Sequence, residues 1–229
     1  MWLEILAVSL WGGLVALDTT AALQILVSHP LVSCSVVGLI LGNFPLGFMI
    51  GIVLELVWLN EIPVGAAPFA EGNIGATVAA SVAIMTVEQT ARSGAVLFLS
   101  LMIGVLVSVI GGRLVIFVRY VNSNLYHKLI NVQSLSTRRI VRTHYSGIFF
   151  SFILGFLLTM TSVLLFAKIM FPPLIHVIPE RLDPALGLVM ATFLGAGCGV
   201  LFYMFFKQKK WWLIGLGVLG GVFSGFLIS

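Results

Sequence analysis

The sequence predicts an all-α polytopic membrane protein with roughly six to eight transmembrane or half-spanning helices, broken or re-entrant in the N-terminal half. Three observations carry this expectation. The 229 residues are 60% hydrophobic and 9% charged, with a mean hydropathy of +1.15, whereas a soluble domain carries roughly 25% charged residues. Apolar runs such as Ala95–Gly112 and Ile148–Phe166 are continuous rather than alternating, which indicates helices and not barrel strands. Charge is also unevenly divided. Glu4, Asp18, Glu55, Glu61, Glu71 and Glu88 all precede the first cation, Arg92, and from there 12 Lys/Arg face only Glu180 and Asp183, so the net +4 divides into −6 and +10. Carboxylates inside apolar segments are costly and persist where they face a polar cavity. Residues 1–91 are therefore expected to form a substrate-binding half, and residues 92–229 a membrane-anchoring half.

The first segment, from Trp2 to Leu17, is short and is stopped by Asp18-Thr19-Thr20. It has no basic n-region or clear cleavage site and is read as retained. Asp18 is placed to cap the helix after it, and Gln24 is the better ligand candidate of this polar island. His29 precedes Pro30 at a helix boundary and is read as structural or interfacial. Residues 31–59 are too long for one untilted crossing and are punctuated by Gly38, Gly42, Asn43, Pro45, Gly47 and Gly51, so broken helices are expected there. From Asn60 to Asn73 prolines, glycines, acids and asparagines crowd between closely flanking apolar segments. Such backbone survives at membrane depth only when lining a cavity or buried in protein. An ordinary extramembrane loop is the alternative.

In the second half, segment 94–118 leads into 119–145, which holds Arg119, Lys128, Arg138, Arg139 and Arg142 and no acid. The positive-inside rule makes this stretch a cytoplasmic loop. Segment 147–171 is expected to leave the cytoplasmic side and to break at Pro172-Pro173, with an outside turn reaching Pro184. Segment 185–206 returns to the Lys207–Lys210 cluster, on the same side as the first cluster. Segment 211–228, opening on Trp211-Trp212, then places the C-terminus outside. Arg113 and Lys168 can snorkel, and the glycine-rich stretches at 38–51, 187–199 and 215–225 are read as close helix packing rather than internal repeats.

Cys34 and Cys198 lie in apolar segments without metal spacing and are read as small reduced hydrophobes. The histidines form no ligand set, so neither a metal nor a cofactor is expected. The basic residues flank membrane segments and leave no footprint for nucleic acid. There is no GxSxG, HExxH or P-loop, so any driven transport must draw on an ion gradient or another protein.

A sugar-sized polyol needs several hydrogen-bonding groups on a dry wall, often beside an aromatic face. Gln24, Glu55, Trp58, Asn60, Glu71 and Asn73 are the candidates for such a site, with Glu55 and Trp58 three apart on one helix face. Glu55 could instead serve helix packing, and solvation at a loop edge competes with ligand contact for Glu61 and Glu71. Glu88, beside Gln89 and Arg92, is read as an interfacial cap.

The run from Ser28 to Asn43, then Gly47, Gly51, Leu54-Glu55-Leu56 and Val64-Gly65-Ala66-Ala67, with the Leu-Asp-x-Thr-Ala-x-Leu-Gln pattern at 17–24, resembles the mannose/fructose/sorbose family of the sugar phosphotransferase system (PTS), in its membrane component IIC. The resemblance implies a sugar permease subunit in a bacterial cytoplasmic membrane, working in a hetero-oligomer with a second membrane subunit, IID, and with cytosolic IIA and IIB phosphocarriers. A phosphohistidine on IIB would phosphorylate the sugar, and the IIC chain would carry no catalytic nucleophile. Glu55 matches the family's Leu-Glu position, Gly65-Ala66-Ala67 its turn, and Glu71 stands near its following acid. Asn43 departs from a common aspartate, and Asn60-Glu61-Ile62-Pro63 departs from an aromatic, Asn-containing version, which leaves the sugar's identity open. The rival expectations are an ion-coupled carrier using Glu55, Glu61 or Glu71, and a non-transporting membrane scaffold.

Overall fold

In a computed structural model, residues 2–59, 69–131, 136–210 and 212–216 are described, and they are helical with short connections. The elements are α1 (Trp2–Ala16), α2 (Pro30–Ile40), α3 (Phe44–Trp58), α4 (Gly72–Val87), α5 (Ser93–Ile130), α6 (Thr137–Val163), α7 (Phe171–Val177), α8 (Asp183–Gly187) and α9 (Val189–Lys207). Among the described residues, four helical stretches, Trp2–Ala21, Ser93–Ile130, Thr137–Val177 and Glu180–Lys207, are long and apolar enough to cross a membrane, while α2, α3 and α4 are shorter apolar helices. At 1.5 Å per residue a helix the length of α2 covers about half of the roughly 30 Å hydrocarbon core. This is the broken-helix pattern expected of the N-terminal half.

α1 runs into a π-helical turn, Leu17–Ala21, closed by the Ala22 N–H on the Leu17 carbonyl at 2.9 Å. The chain then leaves helical geometry until Pro30. Leu23, Gln24 and Leu26 have φ of 71°, 53° and 70°, a left-handed region uncommon for non-glycine residues. The Asp18 carboxylate restrains this loop, accepting from the Ile25 N–H at 2.7 Å and from the Ser28 N–H at 2.9 Å. The expected capping role of Asp18 is thus corrected: it lies inside the π-helical segment, and its carboxylate satisfies two amides of the loop before α2 instead of capping a helix.

α2 and α3 form a tight hairpin. Pro30 suits the first turn of α2, where its missing N–H costs nothing, and Gly42 at φ 78° makes the reversal. Asn43 Oδ1 accepts from the Leu46 N–H at 3.3 Å and caps α3. A Cβ on Gly47 would lie 2.5 Å from the Cys34 carbonyl, so this glycine sets the helix spacing. α4 is the buried centre, enclosed by α2, α3 and α5. Ser33 Oγ meets Thr77 Oγ1 at 2.6 Å, and the buried Cys34 thiol donates to the Ala76 carbonyl at 3.3 Å. Small residues allow this approach, as is general for membrane helices.

Two expectations in the second half are corrected. Among the described residues the stretch 119–145 is largely helical: α5 continues to Ile130 and α6 begins at Thr137, so its cations ride on two helix ends. A helix of 38 residues is longer than the bilayer core is thick, and its basic end can therefore remain helical outside the hydrocarbon. Nor does the chain break at Pro172-Pro173. A π-helical segment, Leu164–Met170, joins α6 to α7, whose first turn holds the prolines, and the helical path ends only at Ile178. Proline is tolerated where its absent N–H has no intrahelical partner to lose.

The following turn is locked to α5. Asp183 accepts from the Gly94 N–H at 3.2 Å and the Ala95 N–H at 2.9 Å, and Arg92 donates to the Ile175 carbonyl. α9 closes against α3, where Gly197 lies over Leu56. The expectations for Asn60, Glu61, Gly65-Ala66-Ala67 and 211–228 fall wholly or largely outside the described residues.

Candidate functional site

The interrupted helices meet around a cavity of about 290 Å³. Its wall is built from the π-helical turn after α1, the restrained loop to Pro30, the end of α3, and the start of α4 with Phe69 and Ala70 before it. Gln24, Glu55, Trp58, Glu71 and Asn73 all line it, so the structure brings together every proposed ligand residue that is described. Asn60 lies outside the described residues.

Each side chain reaches the cavity for a local reason. Glu55 and Trp58 come one helical turn apart at the end of α3, as their spacing predicts. The Glu55 carboxylate is already engaged: Oε1 lies 2.7 Å from His29 Nδ1, and Oε2 accepts from the Leu31 N–H at 3.1 Å. It therefore caps α2 from a neighbouring helix while keeping free lone pairs, because an ionised carboxylate offers about four acceptor sites. The packing role weighed for Glu55 and a cavity-facing position coexist. Trp58 lies across Gly72, where an added Cβ would sit 2.6 Å from the indole ring. Only glycine lets the ring settle on the start of α4.

Glu71 is 2% exposed. Its backbone N–H donates to the Ser108 carbonyl at 2.8 Å, and one carboxylate oxygen stands 3.2 Å from Thr19 Oγ1. This position is inside the bundle, not at a solvated loop edge. Asn73 Nδ2 donates to the same Thr19 oxygen at 3.2 Å. Arg119 stacks 5.3 Å above the Phe69 ring. Thr19 is the cavity-lining residue that the sequence did not single out as a candidate. Its own signal was present, a hydroxyl beside Asp18 in a polar island, but nothing local shows that it meets residues from 71 to 73.

Glu71, Thr19 and Gln24 also line a second cavity of about 520 Å³ between the π-helical turn, α5 and α6. No group of three or more metal-ligating side chains occurs among the described residues.

Fold and site together define a multi-pass α-helical membrane protein whose interrupted helices converge on a ligand-sized cavity with several polar side chains in its wall. The chain belongs to the family of PTS sorbose-specific IIC components, whose model matches residues 2–228. It is 32% identical over 100 residues to the fructose permease IIC component of Bacillus subtilis (strain 168), covering 44% of this chain and 35% of that protein. Sorbose-specific EIIC components of Lacticaseibacillus casei and Klebsiella pneumoniae are 28% and 39% identical over 83 and 57 residues, matching 36% and 25% of this chain and 30% and 21% of theirs. The matched stretches thus span about a third or less of these relatives. Among solved structures, one titled as the structure of a membrane protein superposes with a TM-score of 0.71 at 20% identity, covering 100% of this chain and 96% of the other. A chain from the mannose transporter ManYZ in complex with microcin E492 superposes with a TM-score of 0.57 at 21% identity, covering 100% and 95%. At these identities the superpositions show a shared fold.

Proposed function

We propose that this chain is the sugar-binding IIC subunit of a mannose-family phosphotransferase system in a bacterial cytoplasmic membrane. It takes a hexose-like sugar into the cavity between α3, α4 and the Asp18 loop and passes it across by alternating access. The observation that carries this reading is the convergence of Gln24, Glu55, Trp58, Glu71 and Asn73 on one cavity. Acceptors, an amide donor and an indole face are the groups that a polyol demands, and the volume lies near the lower end of small-molecule sites, which run from about 300 Å³.

A IID subunit completes the membrane complex, and cytosolic IIA and IIB deliver the phosphoryl group to the sugar. The ManYZ complex of the structural neighbour supports the first partner, and family membership supports the others. The basic ends of α5 and α6 are the docking surface for IIB, since the positive-inside rule puts them in the cytoplasm.

The test is to copurify the chain with candidate IID and IIB proteins and to follow sugar-dependent phosphoryl transfer across hexoses and amino sugars. Transfer that requires both the chain and one sugar supports the reading. Glu71, a buried carboxylate, favours one alternative, an ion-coupled carrier. Uptake that a proton uncoupler abolishes, and that ignores IIB, would establish that alternative.

A further inference from the structure

The larger cavity, about 520 Å³, differs in chemistry from the one assigned to the sugar. Arg119, Asn122, Thr143, His144 and Ser151 line it from α5 and α6, facing Thr20 from the π-helical turn. It opens among the helices of the acid-free stretch 119–145, and Arg119 is the cation in its lining. Arg119 is held by the Phe69 ring at 5.3 Å, and a guanidinium fixed in this way is suited to phosphate oxygens. Asn122 Oδ1 is buried with no hydrogen-bond partner among the described residues. Such an acceptor calls for a donor, and a sugar hydroxyl is one.

We propose that this cavity is a second binding site, which takes the phosphate monoester of the sugar. The phosphoryl group lies toward Arg119 and His144, with the Thr143 hydroxyl as a further donor. The sugar hydroxyls meet Asn122 Oδ1 and the wall that the two cavities share, Thr19, Gln24 and Glu71. On that wall the Glu71 side chain is an acceptor for sugar hydroxyls. The greater volume accommodates a ligand enlarged by that group. This inference rests on the sugar-binding reading for the identity of the polyol.

The test measures binding of a hexose and of its 6-phosphate to the full chain in phosphatidylcholine nanodiscs. The phosphate ester is expected to bind saturably and to weaken by at least about tenfold in Arg119→Gln, the loss of a charge-assisted contact. It should also weaken in His144→Gln, a change on an exposed part of α6 that leaves hexose binding as it was. An ester that binds normally to both variants, or not at all to the native chain, overturns the proposal. So does an ester that needs Asn73 and not Arg119, which would place it in the first cavity. Phosphatidylglycerol that displaces the ester competitively overturns it as well, by making the site one for a lipid headgroup. Absence of hexose binding to the native chain is read separately, and it counts against the sugar-binding function rather than against an ester site that depends on Arg119.

Discussion

Thr19 and Glu71, 52 residues apart in the chain, meet with Thr19 Oγ1 3.2 Å from the Glu71 carboxylate and 3.2 Å from Asn73 Nδ2. One hydroxyl thereby links the end of the first span to the start of α4, on the wall between the two cavities. Thr19→Val keeps the shape and removes the link. Leaving a buried polar partner unsatisfied costs about 1–3 kcal/mol, so hexose affinity is expected to fall by roughly tenfold or more, with Thr19→Ser restoring most of it. Equilibrium binding of labelled sugar to the purified variants provides the measurement.

Gly72 is matched to Trp58. An added Cβ would stand 2.6 Å from the indole, so Gly72→Ala must displace either the ring or the start of α4. Overpacking of this kind costs about 1–3 kcal/mol. The expected result is a lower thermal midpoint together with weaker sugar binding. Trp58→Ala combined with Gly72→Ala should recover the stability but not the binding, which separates packing from ligand contact.

Asp18 governs the loop that carries Gln24. With its carboxylate replaced in Asp18→Ala, the Ile25 and Ser28 amides lose their acceptors, and the left-handed residues Leu23, Gln24 and Leu26 lose a restraint on their loop. Hydrogen exchange or limited proteolysis across residues 22–29 is expected to accelerate, while α4 stays protected. Asp18→Asn keeps one acceptor oxygen and should fall between Asp18→Ala and the native chain.

Asp183 caps α5 from the far side of the sequence, 88 and 89 residues away. Loss of a helix cap costs about 0.5–2 kcal/mol, so Asp183→Ala should lower the thermal midpoint without changing sugar affinity. Equal loss of affinity would mean that this turn communicates with the cavity.

Much of this architecture is legible in the sequence because its causes are local. Gly38, Gly42, Asn43 and Gly47 announce a break between apolar runs, and the hairpin of α2 and α3 forms there. Three of the scattered acids, Asp18, Glu55 and Glu71, mark the cavity, since a carboxylate in an apolar segment needs a compensating environment. What stayed hidden depends on contacts between distant positions. The Leu31 N–H finds Glu55, 24 residues on, and Asn73 finds Thr19 across 54; neither pairing leaves a periodic trace. The helical ends of α5 and α6 were hidden for another reason. Positive residues report the side of a membrane and are silent on whether the chain there is helix or loop. At Pro172-Pro173 a single local rule misled, because the π-helical segment before α7 moves the prolines into a first helical turn.

The central claim is that polar groups between residues 18 and 73 border a wet pocket that a sugar can fill, and a cysteine on its wall tests this most directly. Ala70 lines the cavity without a polar role, so Ala70→Cys, in a background with Cys34→Ala and Cys198→Ser, should react with a water-soluble maleimide in membrane vesicles. Labelling should slow in proportion to occupancy when one hexose of a panel is added. A cysteine that never reacts, or that reacts at the same rate under saturating amounts of every sugar, would contradict the account.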